Sequence, residues 1–447
     1  MKRILITVLL CMAMAAQAQW YNGWSAKTGL VLSLHLTDSL PELYSPMQSE
    51  APLPVSQSSR RGDTLRIECS SLNLKITLTP RDGDLVGTWR QGFLREDITF
   101  EASDTIFLMR RPQTPQPPYA FDEETVVADY TDSQGNAVHL EGTLTYPRGD
   151  GRYPCLVLVS GSGQQNRDEE IFFHKPFLVL ADYLASRGIA TLRYDDRGVG
   201  ASTGVLDSAD TRLFAEDAEA MFKAVQGNRH VDRKRLGLAG HSEGGAIAPM
   251  VAARNRDVKF VVMLAGQGCS GLDVMMQQNE AIYRAAGLGE SLLAERLACM
   301  RELFAMPQGA TLDEYRAVIK RHTAELTPAQ VDSIGLGRGA AAQVKQQLDS
   351  HWMQTFLKLN PAEWLPKVKC PMLALNGSTD CQVVARPNQA RIRELTKHRA
   401  ECRELPGLNH LFQHSATGAP ADYVKIEETM APEAMQAVAE WVLSLRK

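Results

Sequence analysis

The segment GLAGHSEGG, residues 237–245, restricts the possible folds of this chain more than any other stretch. The apolar run at its start predicts a β-strand, and the following AIAPMVAAR predicts an α-helix. A strand that passes into a helix through G-x-S-x-G must turn sharply and expose the serine oxygen. Such a turn strains the backbone at Ser242, and Gly240, Gly244 and Gly245 provide the space it needs. Ser242 is the predicted nucleophile, and a glycine-rich turn with a chance serine is the alternative.

Strand and helix patterns alternate from residue 122 to the end of the chain. Two segments around a turn at residues 134–136 predict an antiparallel opening. The following strands, such as CLVLV and LGLAG, are almost continuously apolar and are separated by amphipathic helices. This pattern predicts an α/β fold with a mostly parallel sheet and helices on both of its faces.

Residues 269 to about 366 interrupt the alternation with a series of segments that have helical periodicity. Thr311 with Glu314, and Thr327 with Gln330, have the spacing of capping boxes. We expect this insertion to form a helical cap over the carboxyl edge of the sheet.

The residues before the α/β pattern predict a small all-β domain, at residues 19–111. Apolar and polar residues alternate in GLVLSLHLT and LNLKITLTP, and RDGD at 81–84 predicts a hairpin turn. A sandwich and a partial barrel both fit this pattern. The proline-rich residues 112–120 predict a stiff linker, and residues 121–447 would then form the α/β domain.

The first 18 residues resemble a secretory signal peptide. Lys2 and Arg3 precede a short apolar run, and Ala16-Gln17-Ala18 provides a cleavage site. We therefore expect a secreted or periplasmic protein, without stable membrane insertion once this segment is removed. An uncleaved anchor is the alternative, and Cys11 lies too deep in the apolar run to favour a lipoprotein.

The composition excludes several classes of protein. The chain has 447 residues and a formal net charge of −4, which gives no electrostatic reason to expect a nucleic-acid partner. Its eight cysteines include no C-x-x-C pair, so neither a zinc site nor any other metal site is expected. Cys370 and Cys402 fall in neighbouring predicted strands, where they could form a disulfide or remain buried thiols.

A serine nucleophile needs a base, and the base needs an orienting carboxylate. Asp380 follows a buried strand at its carboxyl end, and His410 follows the next strand. Their order after the serine is the one that a G-x-S-x-G elbow requires. Other candidates fit less well, because they lie before a strand, beside the nucleophile, at the start of the cap or beyond His410. These are His398, His241, Asp273 and His414.

Backbone N–H groups must also stabilise the oxyanion of the tetrahedral intermediate. One is predicted at Glu243, directly after the nucleophile, where the helix dipole also favours its carboxylate. The second is predicted in the SGSGQQ loop, at Ser162, with Gly163 and Gln164 as neighbouring alternatives. A phosphate-binding loop is the other interpretation of this glycine pair, but the G-x-x-x-x-G-K-[ST] pattern is absent.

Taken together, the motifs resemble the α/β-hydrolase superfamily, and within it the secreted bacterial esterases of the EstD type. The similar segments are LYSPMQ, SGSGQQNRDE, RYDDRGVGAST, GHSEGG, GSTDCQV and GLNH. The resemblance implies an α/β-hydrolase fold and hydrolysis of short-chain carboxylic esters without a cofactor. Gln164 stands where family members often have proline. The family-like residues of the two charged motifs are interpreted as ion pairs that brace loops, namely Arg167, Asp168, Asp195 and Arg197.

The leading hypothesis is a serine carboxylesterase that acts on a small-molecule ester. A serine aminopeptidase or an acyltransferase with the same residues is the alternative, and an envelope-binding protein without activity is a third. An aminopeptidase would need a cap carboxylate that binds a free amine, for which Glu280, Glu302 and Glu314 are candidates. Several cap methionines could line an acyl pocket or simply pack in the core, namely Met275, Met276, Met300, Met306 and Met353. The oligomeric state is not predicted.

Overall fold

A computed structural model describes residues 19–25, 30–46, 51–92, 94–107 and 109–445. The chain divides into two compact units, of which the first ends at Arg110 and the second begins at Arg111. The predicted signal peptide, with Cys11, lies outside the described residues. In the part of the chain that is described, no helix is both long and apolar enough to cross a bilayer.

The first unit contains a single antiparallel sheet that curves into a half-barrel. Its strands are β1 (Gln19–Trp24), β2 (Val31–Leu36), β3 (Glu42–Tyr44), β4 (Gln57–Arg61), β5 (Thr64–Cys69), β6 (Leu74–Arg81), β7 (Asp84–Gln91) and β8 (Leu94–Ser103). They are arranged in the order β3-β2-β1-β8-β7-β6-β5-β4. Of the two expected architectures, the partial barrel is therefore correct, and the sandwich is not.

Buried and exposed residues alternate along most strands of this sheet. Leu74, Ile76 and Leu78 of β6 are buried, and the residues between them are more exposed. Strand β2 departs from the expected pattern, because Ser33 is buried as well as its leucine neighbours. The Ser33 hydroxyl donates to Asn22 Oδ1 and accepts from the backbone N–H of Phe107, so the second face of β2 is also covered.

The second unit contains a mixed sheet of eight strands. These are β9 (Phe121–Thr131), β10 (Ala137–Pro147), β11 (Tyr153–Val159), β12 (Ala190–Tyr194), β13 (Val231–His241), β14 (Val261–Leu264), β15 (Met372–Gly377) and β16 (Ala400–Leu405). Their order is β16-β15-β14-β13-β11-β12-β10-β9. Strands β9 and β10 form the antiparallel opening, and the other six are parallel to their neighbours among themselves.

Helices cover both faces of this sheet. The helices are α1 (Pro176–Ala185), α2 (Thr211–Val225), α3 (Gly244–Arg254), α4 (Gly271–Ala285), α5 (Glu290–Phe304), α6 (Leu312–Thr323), α7 (Pro328–Ser333), α8 (Ala340–Asp349), α9 (His351–Phe356), α10 (Ala385–Leu395) and α11 (Pro432–Ser444). One apolar cluster joins the sheet to α2, α3 and α10, and a second joins its other face to α1 and α11. The sheet is thus buried on both sides, as near-continuous apolar strands require.

Helices α4 to α9 lie between β14 and β15 and share an apolar cluster of their own. The capping boxes at Thr311 and Thr327 are both present. The long helical pattern near residues 340–359 is divided, because Ser350 ends α8 and its hydroxyl caps α9 by accepting from Met353 N–H. Helix α10, by contrast, is absent from the sequence expectations.

The proline-rich segment begins on the surface of the second unit. The Arg111 guanidinium donates to the carbonyl oxygens of Val424 and Ile426. The Gln113 amide donates to the Met430 carbonyl and accepts from its N–H. Several hydrogen bonds therefore attach the start of this segment to the loop that precedes α11.

Candidate active site

Ser242 occupies a strained turn between β13 and α3. Its φ is +53°, in the left-handed region that side-chain-bearing residues rarely adopt, and its N–H donates to the Leu264 carbonyl at 2.8 Å. A Cβ atom at Gly240 would lie 1.9 Å from the Gly244 carbonyl oxygen, and one at Gly244 would lie 2.1 Å from that of Val159. The backbone can make this turn only because glycine occupies both positions.

Asp380 and His410 are hydrogen-bonded to each other. Asp380 follows β15, and its Oδ1 accepts from the N–H groups of Gln382 and Val383 at 2.8 and 2.9 Å. Its Oδ2 accepts from His410 Nδ1 at 2.9 Å, in a buried setting. Because Nδ1 faces a carboxylate, the proton of a neutral imidazole resides there and Nε2 is left as an acceptor.

Ser242 and His410 line the same cavity, which has a volume of about 270 Å³. In the described part of the chain no hydrogen bond joins Ser242 Oγ to the imidazole. Such bonds are often long outside the reacting complex and tighten in it. The structure thus brings the three predicted residues to one edge of the sheet.

The predicted oxyanion donors lie near Ser242. Ser162 and Glu243 line a second cavity, of about 230 Å³, together with Ser242. Within the described residues, no protein acceptor pairs with the N–H of either one. A Cβ at Gly161 would lie 3.1 Å from that of Ser242, and Gly163 has a φ of +102°. The glycines of this loop therefore allow the close approach that an oxyanion site needs.

Comparisons with known proteins give several similarities. A family model described as Hydrolase_4, serine aminopeptidase, S33, matches residues 175–309. Esterase EstD of Thermotoga maritima is 26% identical over 306 residues, which cover 68% of this chain and 65% of that esterase. An esterase structure from Pyrococcus furiosus has a TM-score of 0.43 at 16% identity, over 76% of this chain and 98% of that one. A hypothetical protein from Pseudomonas aeruginosa has a TM-score of 0.44 at 17% identity, over the same shares.

The second unit has the α/β-hydrolase fold. The resemblance to esterases of the EstD type, which the sequence motifs indicate, is confirmed by the similarity to the Thermotoga esterase. The match spans 65% of that relative's length, which is less than two-thirds, and the family model covers α1 to α5 of the α/β-hydrolase unit.

His241 connects two parts of the α/β-hydrolase site. Its Nδ1 lies 2.9 Å from Glu169 Oε1, and its Nε2 lies 3.0 Å from the carbonyl oxygen of His410. Both ring nitrogens face acceptors, so both must donate and the ring is an imidazolium. Burial alone would lower the pKa of His241, but the Glu169 carboxylate raises it above its ordinary value. His241 therefore packs beside the elbow, as expected, and also fixes the backbone of His410.

Glu169 is the main site residue that the sequence analysis does not single out. It is buried, has a φ of +51°, and its Oε1 also accepts from Gly161 N–H at 2.6 Å. Its Oε2 has no hydrogen-bond partner among the described residues. One carboxylate thus ties the SGSG loop to His241. Only its place in the family-like NRDE motif could have pointed to it.

The other candidates for the base and the carboxylate have structural roles. His414 pairs with Glu428 and Glu433, and the hydrogen bond to Glu428 raises the pKa of this exposed histidine. Asp273 accepts from Ser270 at the start of α4, on the surface. His398 has a φ of +59° in the turn before β16.

The family-like charged residues form the expected ion pairs. Arg167 contacts Asp195 at 2.6 Å, and Asp168 contacts Arg193. Arg197 is fully buried between two carboxylates, with Asp217 at 2.8 Å and Asp132 at 3.0 Å. Together these pairs brace the segments that follow β11 and β12 and position the SGSG loop.

The smaller cavity extends under the cap. Met275 and Met353 line it, together with Trp352 and Phe356 of the cap. The other three methionines lie elsewhere in the cap: Met300 is in its apolar core, Met276 packs against that core, and Met306 lines a separate cavity. The Trp352 indole donates to the Glu243 carboxylate at 2.9 Å and so joins the cap to the elbow.

Burial raises the pKa of Glu243 to about 7, and its hydrogen bonds from Thr211 and Trp352 oppose that shift. Its carboxyl group is therefore occupied by structural contacts, while its N–H remains available. Of the two alternatives for Cys370 and Cys402, the structure has free thiols at both positions and no disulfide between them.

Proposed function

We propose that the second unit hydrolyses carboxylic esters through an acyl-enzyme on Ser242. The hydrogen bond between His410 Nδ1 and Asp380 Oδ2 carries this proposal, because it leaves Nε2 free to accept a proton in the cavity that Ser242 lines. The name of the Thermotoga relative, an esterase, supports the choice of reaction.

In the first half of the reaction, Ser242 Oγ bonds to the ester carbonyl carbon while its proton passes to His410 Nε2. The carbon–oxygen bond to the alcohol then breaks, and the alcohol departs with that proton. In the second half, water attacks the acyl carbon and gives a proton to His410. The bond to Ser242 Oγ breaks, and the serine recovers its proton as the carboxylic acid leaves.

Each tetrahedral intermediate carries a negative oxygen. The N–H groups of Ser162 and Glu243 are proposed to donate to it, with Gly163 as the neighbouring alternative in the loop. Asp380 stabilises the imidazolium that forms on His410 in both halves. The acyl group is proposed to be short, since a cavity of about 230 Å³ lies below the lower bound of about 300 Å³ for typical ligand pockets.

An aminopeptidase with the same residues is less well supported, although the matching family model carries that name. The three cap carboxylates that could bind a free amine make other contacts. Glu280 pairs with Arg284, Glu302 with Arg321 and His322, and Glu314 caps α6. None of these carboxylates is among the residues that line the two cavities at Ser242. Turnover of aminoacyl p-nitroanilides in preference to esters would favour the aminopeptidase over the esterase.

The nucleophile is tested by Ser242→Ala with p-nitrophenyl butyrate as the substrate. We expect kcat to fall by about 10⁴-fold or more, because loss of a triad member leaves only binding and oxyanion stabilisation. Ser186→Ala, at the exposed end of α1, should retain wild-type turnover. Equal turnover by wild type and Ser242→Ala would contradict the proposal, and failure of a fluorophosphonate to label Ser242 would favour a binding protein without activity.

We further propose that residues 1–18 direct secretion and are removed. N-terminal sequencing of protein recovered from the cell envelope should then begin at Gln19.

A further inference from the structure

The two cavities at Ser242 determine which of them holds the acyl group of an ester and which holds its alcohol, provided that Ser242 and His410 act as proposed above. His410 belongs to the wall of the larger cavity, whereas Glu243 belongs to that of the smaller one. Because the imidazole returns its proton to the departing alcohol, the alcohol must leave on the His410 side. The acyl group then occupies the smaller cavity, under the cap.

The wall of this acyl cavity combines apolar side chains with one deeply buried amide. Its apolar members are Val274, Met275, Trp352, Met353, Phe356 and Val383. Gln267, which follows β14, belongs to the same wall and is only 2% exposed. Its Nε2 is buried and has no hydrogen-bond partner among the described residues.

Gln267 differs in this respect from the other glutamines of the wall. Gln382 donates through Nε2 to the Tyr423 hydroxyl at 2.9 Å. Gln278 is half-buried and Gln347 is exposed, so water can reach both. A buried amide that has lost water and gained no partner is unfavourable, and a ligand that supplies the partner removes this penalty.

The backbone around Gln267 is firmly held. The N–H groups of Gly268 and Cys269 both donate to Asn388 Oδ1, at 2.9 and 3.0 Å. On the other side, Gly266 packs so closely on Gly245 of α3 that a Cβ there would lie 3.0 Å from its Cα. The Gln267 side chain is therefore presented from a fixed segment beside the nucleophile elbow, as a specificity residue requires.

We infer that Gln267 determines acyl specificity, and that the preferred substrates are short-chain esters whose acyl group carries an oxygen acceptor. Because Nε2 has almost no surface open to the cavity, the Gln267 side chain must turn for its amide to donate to this oxygen, while the methionine and aromatic side chains contact the adjoining carbons. The substrate class is thus an oxygenated short acyl group, such as an alkoxy- or oxo-acyl ester, rather than a plain alkanoate.

The test compares isosteric acyl groups on one leaving group. p-Nitrophenyl methoxyacetate is paired with the butyrate, and the 3-methoxypropanoate with the pentanoate, so that an ether oxygen replaces one methylene group. Each kcat/KM is divided by the spontaneous hydrolysis rate of the same ester, which removes the activating effect of the oxygen. We expect the wild type to prefer at least one ether by roughly tenfold, the value of one buried hydrogen bond.

Gln267→Met, which keeps the length of the side chain and removes the amide, should bring that preference to about one. The matched control is Gln346→Met on the exposed side of α8, which should keep the wild-type preference. A wild-type preference of one or less for both pairs would overturn the inference, whether or not Gln267→Met folds. An unchanged preference in Gln267→Met would also overturn it. Absence of turnover with all four esters would instead refute the esterase itself.

Discussion

The nucleophile elbow and the cap of the same unit are determined in different ways. At the elbow, single backbone contacts decide the residue type, since a Cβ at Gly240 would lie 1.9 Å from a carbonyl oxygen. In the cap, helices α4 to α9 pack on a shared apolar cluster, and nothing lies within 4 Å of a Cβ built at Gly289. Local sterics therefore fix the elbow and also the start of the cap, where a Cβ at Gly271 would lie 1.8 Å from the Phe356 carbonyl oxygen. Distributed packing holds the cap helices beyond that point.

The largest contrast is expected from one substitution in each region. Gly240→Ala should abolish soluble folded protein or the turnover of p-nitrophenyl butyrate, because the added methyl group overlaps the backbone at the start of α3. Gly289→Ala, at the N-cap of α5 with a φ of −65°, should leave both unchanged. Circular dichroism and thermal melting would measure the folding of both variants, and p-nitrophenyl butyrate turnover would measure their activity. Similar losses in both variants would remove the distinction between the regions.

A smaller effect is expected at the buried charge pair beside the elbow. Glu169→Gln leaves His241 without its carboxylate, and we expect a loss of about 3 kcal/mol in the free energy of unfolding at pH 6. Because the pKa of His241 is raised in the fold, the ion pair stabilises the wild type most below pH 6.5 and less as pH rises through the raised pKa. The difference in the free energy of unfolding between the wild type and Glu169→Gln should therefore be smaller at high pH. Urea unfolding at a series of pH values would measure it.

Activity gives a second measure of the same pair. His241 fixes the carbonyl of His410, so Glu169→Gln should lower kcat by roughly tenfold and shift the pH profile of kcat. Glu170→Gln, a half-buried neighbour whose carboxylate contacts Lys175 at 3.7 Å, is the matched control. An altered kcat in both variants, with no shift in the pH profile, would indicate a loop defect rather than a role through His410.

The smallest effect is expected where the cap meets the elbow. Trp352→Phe removes the N–H that donates to the Glu243 carboxylate and should cost about 1.5 kcal/mol at pH 8. The raised pKa of Glu243, about 7, means that its contribution to stability is fully present below its ordinary pKa and is lost as pH rises through 7. Since the indole supports the ionised form, the cost should be smaller at pH 5. Equal costs at both pH values would contradict this coupling.

The sequence predicts the parts of this molecule that follow from local rules. The alternating strands and helices, the capping boxes and the elbow all depend on residues close together in the chain. The ends of parallel strands also bring Asp380 and His410 to one edge of the sheet, and their catalytic roles remain predictions. The hydrogen bond between Glu169 and His241 joins residues 72 positions apart, and no local sequence pattern indicates it.

The features that the sequence does not predict have equally specific causes. Helix α10 has the sequence ARPNQARIREL, in which Ile392 is the main buried apolar side chain, so its periodicity is weak. The break at Ser350 depends on one hydroxyl that caps α9, within a pattern that is helical on both sides. Gln267 stands out only once its burial is known, because an isolated glutamine after a strand has no distinctive pattern.

The separate apolar cluster of the cap has an evolutionary consequence. Most side chains in the cluster of α4 to α9 contact one another, and only a few cap residues, such as Phe356 and Trp352, also contact the sheet or the elbow, so replacements inside the cluster leave the sheet and the elbow undisturbed. Recombination between relatives can exchange such a segment as a block, which would reshape the cavity beneath it while Ser242, Asp380 and His410 keep their places.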